Sequence, residues 1–357
     1  MAEVWMARRD AIGGASKTVA IKLLASHLAH KPVYRQMLLD EARLTMMLTH
    51  SNIVQVFDIG EHAGRSYLVM EWIDGIDLAR LCARLREAEV ELEFSIVAHV
   101  IGELLRALVY AHGLKDSEEC STVVHRDISP HNVFLSVSGE VKLGDFGVAR
   151  LASEESSGVH VRGKLRYMPP EQIRGRSNHA TTDLFAVGAV MQEMLDGACF
   201  RGGLDRDALL GSVIEGKVPP LQRTDVPAEL VALRDALLAP DREARVQSAS
   251  EALELLRRWP GYRNAADELI MLVRDVAGVT GPRSGLTIEF SDDQLEAIDE
   301  PTVCTCKVAR PRQRMPASMG IVVASIGAVL GFAWAWLHEP TASSAAQVIP
   351  AKLDLSP

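Results

Sequence analysis

The sequence predicts an α+β chain of two unequal lobes, a small β-rich lobe and then a larger helical one, followed by a single transmembrane helix. Three observations carry this. From Val4 to Met70, β-branched runs at 18–22, 53–57 and 67–70 alternate with one helical stretch near Val33 to Leu48. From Leu78 onward, apolar residues fall at helical spacing over 97–112, 184–195 and 249–259. Ala317 to Leu337 then carries no charged side chain, and its 21 residues, at about 1.5 Å each, span the hydrocarbon core of a bilayer.

A chain of 357 residues is long enough for a two-lobed unit and an appendage. Its net charge of -9 argues against nucleic acid as a partner. The five cysteines, Cys82, Cys120, Cys199, Cys304 and Cys306, are odd in number and scattered, which suits a reducing compartment. Cys304 and Cys306 lack a second pair to complete a metal site, so they read as linker thiols. Met1 to Asp10 is polar and charged, unlike a secretory signal. Lys307, Arg310, Arg312 and Arg314 precede the apolar segment and only Lys352 follows it, which orients residues 1–316 to the cytoplasm of a single-pass inner-membrane protein. The expected division is a folded domain over 1–262, a juxtamembrane linker over 263–316, a transmembrane helix over 317–337 and a short outer tail over 338–357. Gly327 and Gly331 form a G-x-x-x-G pattern through which two copies would pair as a homodimer.

The chemistry-bearing residues come in a fixed order. They are Thr18-Val-Ala-Ile-Lys22, Asp40-Glu41-Ala42, Leu68-Val-Met-Glu-Trp-Ile-Asp-Gly75, His125-Arg126-Asp127 with Asn132, Asp145-Phe146-Gly147, Tyr167-Met-Pro-Pro-Glu171, Asp183 to Gly188, and Arg245. Any one triplet is weak, but the ordered set is specific. From about Ala2 to Trp259 it resembles the bacterial Hanks-type serine/threonine protein kinases. The resemblance implies a two-lobed protein kinase fold divided near residue 72. It also implies Mg-ATP as phosphoryl donor, with manganese as an alternative ion, and serine or threonine hydroxyls of proteins as acceptors.

By that resemblance Asp127 is the catalytic base, Asn132 and Asp145 are the metal ligands, and Lys22 meets the α- and β-phosphates while paired with Glu41. Val4, Ala20, Met70, Glu71, Ile73 and Phe134 line the nucleotide site, the hinge backbones of Glu71 and Ile73 meeting adenine. His125 and Phe146 stack in the core, Gly147 closes its triplet, Asp183 braces the catalytic-loop backbone, and Glu171 pairs with Arg245. Pro130 favours serine/threonine over tyrosine specificity.

Three departures from the family pattern stand out. The chain begins inside the glycine-rich loop, so the first strand and leading glycines are absent. Two readings stay open, a start recorded too late and a truncated, weakly active protein that signals as a pseudokinase or binding module. Secondly, Ser129 stands where the family carries lysine and Lys164 where it carries threonine. The expectation is an exchange, Lys164 restoring charge at the γ-phosphate with Ser129 hydrogen-bonded to it. Thirdly, Arg126 before the base implies control by an anionic group, for which Ser153, Ser156 and Ser157 are the candidate phosphosites and Glu154 or Glu155 a standing alternative.

Overall fold

In the computed structural model the described residues are 2–10, 16–25, 28, 31–62, 65–114, 122–146, 163–175 and 179–278. Both lobes lie in one compact unit, and the facing ends of the first two strands, 8–10 and 16–17, are assigned to a second. The apolar segment 317–337, the cysteines 304 and 306, Gly147 and the three candidate phosphoserines lie outside the described residues.

The small lobe is a four-stranded sheet in the order β1-β2-β4-β3, from β1 (Ala2–Asp10), β2 (Ser16–Leu24), β3 (Val56–His62) and β4 (Arg65–Glu71). Antiparallel pairing sets Lys22 opposite Leu68 and Ala20 opposite Met70. Helix α1 (Pro32–Met46) starts with proline in its first turn, where a missing N–H costs nothing. Its buried residues Tyr34, Leu38, Ala42 and Thr45 recur every three to four positions. That stripe packs with Leu24, Leu28 and Leu68 and fixes the helix's rotation about its axis, on which the aim of Glu41 depends. The strand expected at 53–57 begins instead at Val56, because Ile53 is drawn into a parallel bridge with Leu143.

The large lobe opens with β5 (Gly75–Asp77), which pairs with β6 (Val133–Ser136), itself paired with β7 (Val141–Leu143). A Cβ on Gly75 would run into the Leu135 carbonyl, so this close approach requires glycine. Asp77 caps α2 (Leu78–Glu87) by accepting the Arg80 N–H at 2.9 Å. Helix α3 (Phe94–Gly113) is apolar and long enough to cross a membrane, but twelve of its residues are buried in the lobe's core. Short α4 (Pro170–Ile173) precedes α5 (Ala180–Asp196), buried continuously from Thr181 to Leu195 and stopped by Gly197 at φ 61°. Helices α6 (Arg206–Ile214), α7 (Ala228–Leu238) and α8 (Ala249–Arg257) complete the core, with Gly188 letting Leu237 and Leu238 close on α5.

The expected boundary at 262 is corrected by α9 (Ala266–Ala277). Leu269 and Val273 are fully buried in the main core, and the helix packs on α3 and β5. Leu272, Val276 and Ala277 pack partly buried beside them, so an apolar run that follows the last motif belongs to the core and not to a linker. Leu269→Ala is therefore expected to destabilise the full chain by about 2–5 kcal/mol, the cost of a core truncation. Denaturant unfolding measures it, and a change below about 0.5 kcal/mol would return α9 to the linker.

Candidate active site

The site is assembled by one buried carboxylate beneath the catalytic loop. Asp183, in the first turn of α5, accepts the backbone N–H of His125 and that of Arg126, each at 2.8 Å, and its Oδ2 lies 2.8 Å from His112 Nε2. Burial would raise its pKa, but the hydrogen bond and charge of His112, with the backbone N–H of His125, hold it below the usual carboxylate value. Arg126 sits at φ 63°, a left-handed conformation that arginine adopts only when held. The two backbone bonds to Asp183 hold it from below, and Gln172 Nε2 donates to its carbonyl at 2.7 Å.

His125 is fully buried, and burial lowers its pKa, so the neutral ring is favoured. Its Nε2 lies 2.9 Å from the Gly144 carbonyl and its Nδ1 accepts the Asp127 N–H at 3.2 Å, which places the proton on Nε2. The ring tilts against Phe146, centroids 4.4 Å apart. These contacts link the loop at 125–132 to Asp145, which stands at φ 56°. Within the loop, Asn132 Nδ2 donates to the Asp127 carbonyl at 2.7 Å and to its Oδ2 at 3.3 Å.

From the small lobe, Lys22 Nζ reaches Glu41 Oε1 at 2.6 Å and Asp145 Oδ1 at 2.9 Å. Burial works against the ammonium, yet Asp145 and then Glu41 outweigh it and raise its pKa well above the lysine range. Burial likewise works against ionised Asp145, but the charge and hydrogen bond of Lys22 win, with Lys164 adding to them, and its pKa falls. Lys164 Nζ donates to Asp127 Oδ2. The expected Ser129–Lys164 bond is not formed, since the Ser129 hydroxyl is buried and has no hydrogen-bond partner among the described residues. A carboxylate is a stronger acceptor for an ammonium than a neutral hydroxyl, which accounts for the difference.

The residues assigned to the nucleotide spread along the sheets. Val4 is 37% exposed on edge strand β1, Ala20 is buried on β2 opposite Met70, and Met70 packs against the α1 cluster. Phe134 on β6 packs so near Gly144 that a Cβ there would lie 2.8 Å from its ring. Ile73 and Glu71 are half-buried at the junction of the lobes. The Glu71 side chain turns inward to Lys142 Nζ at 2.9 Å, a contact the sequence reading missed. It missed His112 and Gln172 as well, and only the histidine closing an apolar helix left a visible signal. Arg245 Nη1 donates to Glu171 Oε1 at 2.6 Å and to the Thr181 carbonyl at 2.8 Å, pinning the segment before α5.

Residues 4–256 match the protein kinase domain family. This chain belongs to the bacterial Hanks-type protein kinases. It is 35% identical over 266 residues to the tyrosine-protein kinase MasK of Myxococcus xanthus, covering 71% of this chain and 41% of that protein. It is 30% identical over 302 residues to the serine/threonine-protein kinase PknB of Mycobacterium tuberculosis, covering 80% and 46%. For PknB of Mycobacterium leprae the figures are 32% over 314 residues, 83% and 48%. The kinase chain thus spans less than half the length of each of these relatives.

The Asp183 bracket carries a test of its own. Asparagine offers one acceptor where two backbone N–H groups need one each, so Asp183→Asn is expected to cost about 3 kcal/mol. Because the folded-state pKa is depressed, that stabilisation is present above the unfolded value of about 3.9 and is lost as pH falls through the folded one. The difference between wild type and variant in urea unfolding should be constant above about pH 5 and shrink below about pH 4. A difference independent of pH down to the acid limit would remove Asp183's ionised role.

Proposed function

We propose that this chain is a membrane-anchored serine/threonine protein kinase that moves the γ-phosphoryl group of ATP to protein hydroxyls. The observation that supports it most is the meeting of Lys22, Asp145, Asn132 and Asp127, which arrive from β2, the turn after β7 and the catalytic loop. Lys22, already charged and clamped by Glu41, suits the nonreacting phosphates. Asp127, held through its own backbone by His125 and Asn132, suits the proton of the incoming hydroxyl.

The donor set fits magnesium carried on a nucleotide. Asn132 spends its amide nitrogen on Asp127, which leaves its side-chain carbonyl oxygen available as a hard ligand, with the Asp145 carboxylate as a second. Among the described residues no cluster of three or more His, Cys, Asp or Glu side chains makes a cage, and magnesium bound with phosphates needs only one or two carboxylates. When bound, the ion would neutralise phosphate charge. The uncharged segment 317–337 with its basic flank supports an inner-membrane anchor and a cytoplasmic domain. Ser153, Ser156 and Ser157 supply candidate phosphosites for control through Arg126.

Radiolabelled phosphate transfer to myelin basic protein, followed by phosphoamino-acid analysis, tests the reading. Phosphoserine or phosphothreonine is expected, and Asp127→Asn should lower turnover by about 10²–10⁴-fold. Phosphotyrosine alone would move the specificity to tyrosine, as in the name of the relative MasK. Nucleotide binding without transfer by the unsubstituted chain would favour a pseudokinase.

A further inference from the structure

We propose that Lys164 is the cation that meets the transferred phosphate, delivered from the segment ahead of α4 rather than from the catalytic loop. This rests on the kinase reading above. Lys22 and Lys164 touch the carboxylates of Asp145 and Asp127, and they differ in freedom. Lys22 is buried and engaged by both Glu41 and Asp145. The Lys164 side chain is 35% exposed, and it forms an ion pair with the base, Asp127. Its charge is also felt at Asp145, so the ammonium lies within electrostatic reach of both the base and a metal-ligand carboxylate.

The catalytic loop itself offers nothing equivalent. Between Asp127 and Asn132 stand Ile128, Ser129, Pro130 and His131. Ser129 is buried, and the half-exposed His131 faces Asp77 at 4.0 Å. Meanwhile the backbone bearing Lys164 is anchored. Its carbonyl accepts the Tyr167 N–H at 3.2 Å, Leu165 packs with Leu209 and Val213, and Arg201 Nη1 donates to the carbonyls of Arg166 and Met168 at 3.0 and 2.9 Å. A fixed backbone carrying a long, partly exposed side chain lets the ammonium exchange one acceptor for another without moving the segment. A terminal phosphate, more highly charged than one carboxylate, draws Lys164 away and frees Asp127 Oδ2 for the acceptor hydroxyl.

The test compares ADP with a non-hydrolysable ATP analogue, both with magnesium, by calorimetry on the full chain. Lys164→Met should weaken the analogue at least about 10-fold and leave ADP within about twofold, while Lys164→Arg retains most of the analogue's affinity. Turnover of Lys164→Met should fall about 10²-fold, as on removing one preorganised charge from a transition state. The surface variant Arg257→Met should bind both nucleotides as the wild type does. Equal weakening of ADP and analogue, no weakening of either, or wild-type turnover would overturn the assignment. If the unsubstituted chain binds nucleotide but transfers no phosphate, the kinase reading fails, and the ADP-to-analogue comparison still decides whether Lys164 meets the terminal phosphate. If it binds neither nucleotide, both fall.

Discussion

The carboxylate of Asp183 is the constraint on which the rest of the site depends. A carboxylate 1% exposed is costly to bury unless donors surround it. Here two backbone N–H groups and a histidine do so. In return, the chain at Arg126 is held at positive φ, a conformation that costs roughly 1–2 kcal/mol for a residue with a Cβ. Asp127 leaves that kink in one direction only. The bracket is stiff because its base is stiff: α5 is buried along nearly its whole length, so Asp183 cannot shift without disturbing packing on several sides.

A second joint, Lys22 with Glu41 and Asp145, depends on the first. Asp145 also stands at positive φ, and its neighbours on both sides are held by His125, which contacts the Gly144 carbonyl and the Phe146 ring. His125 is in turn positioned by Asp183. The buried face of α1 then decides whether Glu41 reaches Lys22. Removing one member of such a buried set strands a charge, so the cost falls on the other members as well.

Much of this arrangement was legible because the residues that do the work stand at short, fixed spacings within single segments. The stretch 125–132 contains Asp127, its amide partner Asn132 and the histidine that accepts the Asp127 N–H, so a local pattern reports a local structure. What escaped was nonlocal. Lys142 meets Glu71 across 71 positions, and neither residue's neighbourhood announces the other. The strand at 53–57 was misplaced because β-branched content does not say whether Ile53 belongs to the small-lobe sheet or bridges to Leu143. The boundary at 262 followed the end of the family resemblance near Trp259, although the apolar run from Leu269 to Val273 lies just beyond it. Lys164 was expected near Asp127 with Ser129 hydrogen-bonded to it, and the ammonium goes to the Asp127 carboxylate, a stronger acceptor than the hydroxyl.

Burial also separates the lysines of the site by task. The side chains of Lys22 and Lys142 are 11% and 7% exposed, and each is held by carboxylate at normal hydrogen-bond distance. Solvent is in no position to compensate either charge if its partner leaves, so these pairs fix geometry: Lys22 ties β2 to α1 and to Asp145, and Lys142 ties the junction of the lobes to β7. Lys164 keeps about a third of its side chain in water, which lowers the cost of parting from Asp127. A phosphoryl-transfer site needs both kinds of cation, because the nonreacting phosphates stay where they bind while the transferred group changes partners. Rigid pairs suit the first task and an exchangeable one suits the second, and burial divides Lys22 from Lys164 along that line.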